Sequence, residues 1–128
     1  GMASPTAPAV LTGPDGVTRA RRIGLTLASA SRALARLDAD TDVHLTLTGG
    51  REALADALVY DVPAGRYVLR GVGGRPAVLR VPNDKSTTCL VSEAREVRFS
   101  EGAGTPEFPD DPGGTRQLTR PCSEPLRR

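Results

Sequence analysis

The side chains in this chain able to do chemistry are few, and their spacing completes no known reactive set. His44 is the single histidine. It could act as a base for Ser92 or Ser100, but no motif spacing joins them into a nucleophilic triad. His44 alternates with Val43 and Leu45, so an outward, surface position is expected. Asp38, Asp40 and Asp42 recur at every second residue, as in the first half of a calcium loop. The glycine and distal glutamate that complete such a loop are missing, and Leu45 and Thr46 follow, so a polar turn is the better reading. Gly71-Val72-Gly73-Gly74-Arg75-Pro76 has a dinucleotide-loop flavour, but Pro76 replaces the third glycine and a strand-like run follows, which reads as a β-turn. Phosphate-loop, nucleophile-elbow and His-Glu-x-x-His signatures are missing, so no enzyme activity, cofactor or metal is expected.

Cys89 and Cys122 are the two cysteines, 33 positions apart. Cys89 lies in a strand-like segment and Cys122 in a tail with no other apparent anchor. A disulfide between them is favoured over a buried thiol plus a free one, because a small core gains from a closed loop and such bonds persist outside the cytosol. Two cysteines and one distant histidine do not supply zinc ligands. Tyr60 and Tyr67 are the remaining candidates for ligand contact. Facing solvent they would form a stacking platform for a glycan, but their strand phase places them with Val62 and Leu69, which favours the core.

These residues must be positioned by a largely aliphatic fold. The 128 residues include no Trp, two Phe and two Tyr. Residues 1–16 have linker and turn chemistry and read as a flexible leader, and residues 101–128 read as an irregular Pro- and Gly-rich tail. Between them, residues 17–100 carry alternating apolar runs: Ile23 to Leu27, Val43 to Leu47, Ala57 to Val62, Ala77 to Val81, Thr87 to Ser92 and Arg95 to Ser100. Ser29 to Asp40 fits a short helix or, by its neighbours, a strand. Arg51 to Asp56 has helical propensity and stays open. Leu54, Leu58, Tyr60 and Val62 would share one strand face, interrupted by Asp56. About seven short strands with turns at regular intervals predict an all-β, antiparallel sandwich.

The sharpest local signal is Asp61-Val62-Pro63-Ala64-Gly65-Arg66-Tyr67-Val68-Leu69-Arg70. Pro63 presets a type I turn, and Gly65 can take the left-handed conformation that closes a three-residue hairpin loop. This segment resembles the Pro-x-Gly-x-Tyr hairpin of the carboxypeptidase regulatory-like, or transthyretin-like, sandwich domains. The resemblance spans about residues 20–100 and is carried by about ten of them. It implies a binding, spacer or display module rather than an enzyme. The family's preceding Asp-x-x-Gly turn is missing. The internal Lys–Asn crosslink of some relatives is excluded, since Asn83 and Lys85, each the only one of its kind, sit in one turn.

The net charge of +2 excludes a strongly cationic nucleic-acid surface. Arg19, Arg21 and Arg22, and the Arg127–Arg128 pair, are the only cationic clusters, and neither has aromatic neighbours for base stacking. No apolar run approaches the ~20 residues of a membrane helix. The start, Gly1 to Ala9, fits either a native beginning at Met2 or a linker after a removed secretion or lipoprotein signal, whose lipid anchor would then be lost. The expected function is therefore a non-catalytic module outside the cytosol of a bacterium that binds a protein or a glycan. The alternatives are a cytosolic protein acting through an oligomer interface and an enzyme with an unrecognised site.

Overall fold

A computed structural model describes residues 8–84, 86–102, 105–109 and 114–128. The described residues hold ten strands and no helix. They are β1 (Ala9–Gly13), β2 (Gly16–Ala20), β3 (Arg22–Leu27), β4 (Leu34–Leu47), β5 (Glu52–Asp61), β6 (Arg66–Arg70), β7 (Ala77–Pro82), β8 (Thr88–Ala94), β9 (Glu96–Ser100) and β10 (Arg116–Pro121). Every pairing is antiparallel. The all-β expectation holds, but the seven-strand sandwich does not: all ten strands belong to one hydrogen-bonded network.

That network forks. One limb runs β1-β2-β4-β5-β7-β8-β10, while β3 adds to β4, and β6 and then β9 add to β5. The fork exists because β4 and β5, at 14 and 10 residues, are long enough to pair with different neighbours at their two ends. The first half of β4 holds β3 and its second half holds β2. The first half of β5 holds β7 and its second half holds β6. One core fills the space the limbs enclose, with Leu45, Ala53 and Leu79 from one limb and Leu37, Leu58, Leu69 and Val97 from the other.

At the fork the β4–β5 register shifts between Asp40 and Val43. Thr41 and Asp42 are left over as a bulge with φ of 69° and 55°. The polar turn expected from Asp38, Asp40 and Asp42 is thus a bulge within a continuous strand. The Arg21 amide donates to the Thr41 carbonyl at 2.9 Å, which fixes the kink. Opposite it, the alternation of β5 slips by one residue. Ala53 and Ala55 enter the core, and then so do Leu58 and Tyr60. Leu54 and Leu58 therefore do not share the face that strict alternation assigns them. The Arg51 to Asp56 stretch is mostly strand, because pairing on both sides overrides its helical propensity.

The β5–β6 hairpin forms, with Gly65 left-handed at φ 64° and its amide donating to the Val62 carbonyl at 3.1 Å. Its loop is four residues, since Asp61 pairs with Arg66. Ser29 to Asp40 divides into a turn, closed by Ala28 N–H to Ala33 O at 2.8 Å, and the start of β4. Both ends of the chain carry strands where leader and tail were expected. Val10 and Leu11 supply the alternation for β1, which adds to β2, and β10 pairs with β8 over Arg116–Pro121. The leader's Gly1 to Ala7 lies outside the described residues.

Left-handed backbone at a β-branched residue is disfavoured by roughly 1–2 kcal/mol. Thr41→Gly is expected to raise the urea midpoint, with a gain of up to about 1 kcal/mol after the added chain entropy of glycine. A clear fall in stability would show that the bulge is not held as described.

Candidate functional site

Side chains on the outer face of the β5-β7-β8-β10 sheet lie in register rows. Glu52, Arg80, Val91 and Leu118 form one row. Leu54, Val78, Glu93 and Arg116 form the next, and Pro82, Cys89 and Arg120 a third. Val78, Cys89 and Val91 are buried, yet they stand outside the main core cluster. Apolar groups on an outer face can be buried only under another layer of chain. Residues 122–128 lie over this face, joined to it at Cys89, Arg80 and Asp56.

This strap is held along its length. Cys122 is at disulfide distance from Cys89, with sulfurs 2.01 Å and Cα atoms 5.1 Å apart. A bond closing a loop of 33 residues stabilises by roughly 3–4 kcal/mol. The Cys122 amide donates to the Thr87 carbonyl at 2.9 Å, and Arg80 Nη1 donates to the Glu124 carbonyl at 2.6 Å. At the far end Arg128 grips both oxygens of Asp56, Nη1 to Oδ1 at 2.8 Å and Nη2 to Oδ2 at 2.7 Å, and its Nε donates to the Pro76 carbonyl at 3.0 Å. The Arg128 side chain is only 7% exposed. Of the Arg127–Arg128 pair, Arg127 is exposed, while Arg128 is therefore seated on the fold. Asp56, noticed in the sequence only as an interruption of an apolar face, is the anchor that holds it.

Between strap and sheet lies a cleft of about 480 Å³, lined by Arg80, Arg120 and Arg127, by Glu93 and Glu124, and by apolar groups that include Val91, Leu118 and Leu126. Its volume falls in the range of small-molecule sites. Sequence reasoning did not find it. The one available signal was Cys122, which already implied that the tail is tied back to a strand.

The other candidates are placed plainly. Nε2 of His44 lies 2.5 Å from Oε2 of Glu52, whose other oxygen is held by Arg80. Ser92 is on the opposite face of the sheet, where its hydroxyl accepts from Gln117 Nε2 at 3.1 Å, and the Ser100 carbonyl accepts from Arg51. Neither serine meets His44, so the geometry contains no triad built on them. Asp38, Asp40 and Asp42 each pair with an arginine, Arg36, Arg22 and Arg21 respectively. Among the described residues no group of three or more His, Cys, Asp or Glu is placed to hold a metal. Nor does any helix there cross a membrane, which says nothing of a β-barrel. Gly71 to Pro76 makes the expected turn, with Arg75 N–H to Val72 O at 3.2 Å. A side chain at Gly71 would lie 2.0 Å from the Arg75 carbonyl oxygen, so only glycine fits there.

Tyr60, Tyr67 and Phe99 are cross-strand neighbours on β5, β6 and β9. Their rings stack, with centroids 4.2 and 4.9 Å apart and planes within 10°. Both faces of the Tyr67 ring are thus taken and the residue is 3% exposed, so it offers no glycan platform. Tyr60 is half-buried, and its hydroxyl donates to Glu101 at 2.5 Å. Burial and that carboxylate both push its phenol pKa up. The two tyrosines also line a mostly apolar cavity of about 180 Å³ at the β1–β2 turn.

Arg128 holds the Asp56 carboxyl well down, from 3.8 to about 2, with the Val72 amide helping and burial opposing. A carboxyl lowered on folding stabilises above its unfolded pKa, and that stabilisation is lost as pH falls from about 4 to about 2. At 1.36 kcal/mol per unit it amounts to about 2 kcal/mol. Asp56→Asn should therefore be about 2 kcal/mol less stable than the parent at pH 6 in urea unfolding, with the two curves converging toward pH 2. A difference that stays constant with pH would contradict the ion pair.

No protein-family model matches the chain, and no curated protein matches it.

Proposed function

We propose that this protein is a non-catalytic binding module that works outside the cytosol, with the cleft under the 122–128 strap as its ligand site. The carrying observation is that a segment tied at both ends, by Cys122 and by Arg128, roofs a cleft of about 480 Å³ whose floor is a rigid sheet. Sites positioned on strands and fixed by long-range anchors are pre-organised, which lowers the entropic cost of binding. The remaining ion pairs serve the fold: Arg70–Glu96, Arg66–Glu107 and Arg22–Asp40 bridge strands or their edges. The cysteine pair supports an oxidising compartment. The β5–β6 hairpin, which resembles that of the carboxypeptidase regulatory-like domains, is in keeping with an accessory role.

Thermal melting against a small-molecule panel, run on oxidised protein and on reduced, alkylated protein, tests the reading. At least one compound should raise the melting temperature of the oxidised form and lose that effect when the strap is released. No shift across the panel, or equal shifts in both forms, would overturn it.

A second reading, self-association, is favoured by one specific feature. Among the described residues β3 pairs only with β4, and it exposes Leu25 at 51% and Leu27 at 54%. A free edge strand with apolar side chains is a template for pairing with another chain. Light scattering over a wide concentration range should then show a mass that rises with concentration and falls back to monomer in Leu25→Lys. A strict monomer throughout would dismiss it.

A further inference from the structure

We infer that the cleft takes an organic carboxylate, its acidic head held by Arg80, Arg120 and Arg127 and its apolar body laid on Val91, Leu118 and Leu126. This rests on the reading of the cleft as the ligand site and names the class of molecule it receives.

The arginines carry the argument. Ten of the sixteen already have a carboxylate, among them Arg21, Arg22, Arg36, Arg66, Arg70 and Arg98. Arg120 and Arg127 pair with no carboxylate among the described residues, and both line the cleft. Arg80 lines it too. Its two terminal nitrogens are occupied by Glu52 and by the Glu124 carbonyl, and its Nε is buried with no acceptor among the described residues. A buried guanidinium N–H without an acceptor is unfavourable, and it leaves the Arg80 charge beside the cleft less than fully compensated. Three arginines, one with an orphaned donor, thus converge from β7, β10 and the strap.

The register gives the cleft a direction. Arg120 stands in the Cys89 row, Arg80, Val91 and Leu118 stand in the next, and Glu93 stands in the row beyond. The floor therefore carries Arg120 at one end, Val91 and Leu118 beside Arg80 in the middle, and Glu93, 3.9 Å from Arg116, at the other. A carboxylate at the Arg120 end places its alkyl body over Val91 and Leu118. A second anionic group at the far end would meet Glu93, so monocarboxylates are preferred over dicarboxylates. Inorganic phosphate, lacking the body, uses only half of the site.

Octanoate is the probe, with octanamide, suberate and inorganic phosphate as comparisons, in isothermal titration of the oxidised full chain. Octanoate should bind saturably, with the other three at least tenfold weaker. Arg120→Gln and Arg127→Gln remove exposed groups that hold nothing else in place, so they should fold normally and each weaken octanoate about tenfold, while Arg19→Gln on the β2 strand leaves it unchanged. Octanamide binding as tightly as octanoate, or the two cleft variants binding like the parent, would overturn the inference. So would no saturable octanoate binding. If a neutral or cationic compound from the melting panel still requires the closed strap, the carboxylate assignment has failed while the cleft reading stands. If no compound of any class does, both have failed.

Discussion

The carboxylate of Asp56 is the point on which the two levels of this structure meet. It sits where β5 slips its alternation opposite the Thr41–Asp42 bulge, so a polar side chain is turned outward at the fork of the sheet. There it accepts the Val72 amide at 2.7 Å, which ties down the turn before β7, and binds Arg128 through both oxygens. One carboxylate thus holds, beside the bend between the two limbs, both the loop before β7 and the far end of the strap. Removing its charge leaves the Arg128 guanidinium buried without a counter-charge, and that is more harmful than losing a surface pair.

A small aliphatic core explains why such anchoring matters. The main cluster is rich in alanine, with Ala20, Ala39, Ala53, Ala55, Ala77 and Ala94 fully buried, so each inward position contributes little apolar area. The strap adds a layer over the face on which Val78, Cys89 and Val91 are buried, and full burial of a valine contributes about 1.5–3 kcal/mol. Stability and the integrity of the cleft are then coupled. The segment that completes the apolar packing also roofs the cleft, so whatever releases the strap exposes both.

Local chemistry is what the sequence made legible. Pro63 and Gly65 fixed the hairpin, and alternation located the strands around Val43 to Leu47, Ala77 to Val81 and Thr87 to Ser92. Cys122 announced that the tail returns to Cys89. The features that escaped reading are non-local or mask their own signal. The Arg128–Asp56 pair spans 72 positions, which no periodicity encodes. The bulge uses Thr41 and Asp42 at positive φ instead of glycine, so the usual turn marker is missing. Ala9–Gly13 and Arg116–Pro121 are strands in Pro- and Gly-rich surroundings, where composition argues for linkers and only partners elsewhere in the chain decide otherwise. The tyrosines were rightly given to the core by their phase, and the stack they form with Phe99 follows from the register of three strands.

The measurement that bears most directly on this account is the hydrogen exchange of the assigned Arg128 Nε–H by NMR, in the parent and in Asp56→Ala. Donated to the Pro76 carbonyl by a guanidinium whose terminal nitrogens grip Asp56, this proton should exchange far more slowly than those of exposed arginines at pH 6, and Asp56→Ala should abolish the protection while amides of the β4–β6 core keep theirs. An Arg128 Nε–H that exchanges in the parent as fast as a free side chain would mean that the strap is not seated, and neither the second apolar layer nor the cleft would exist as described.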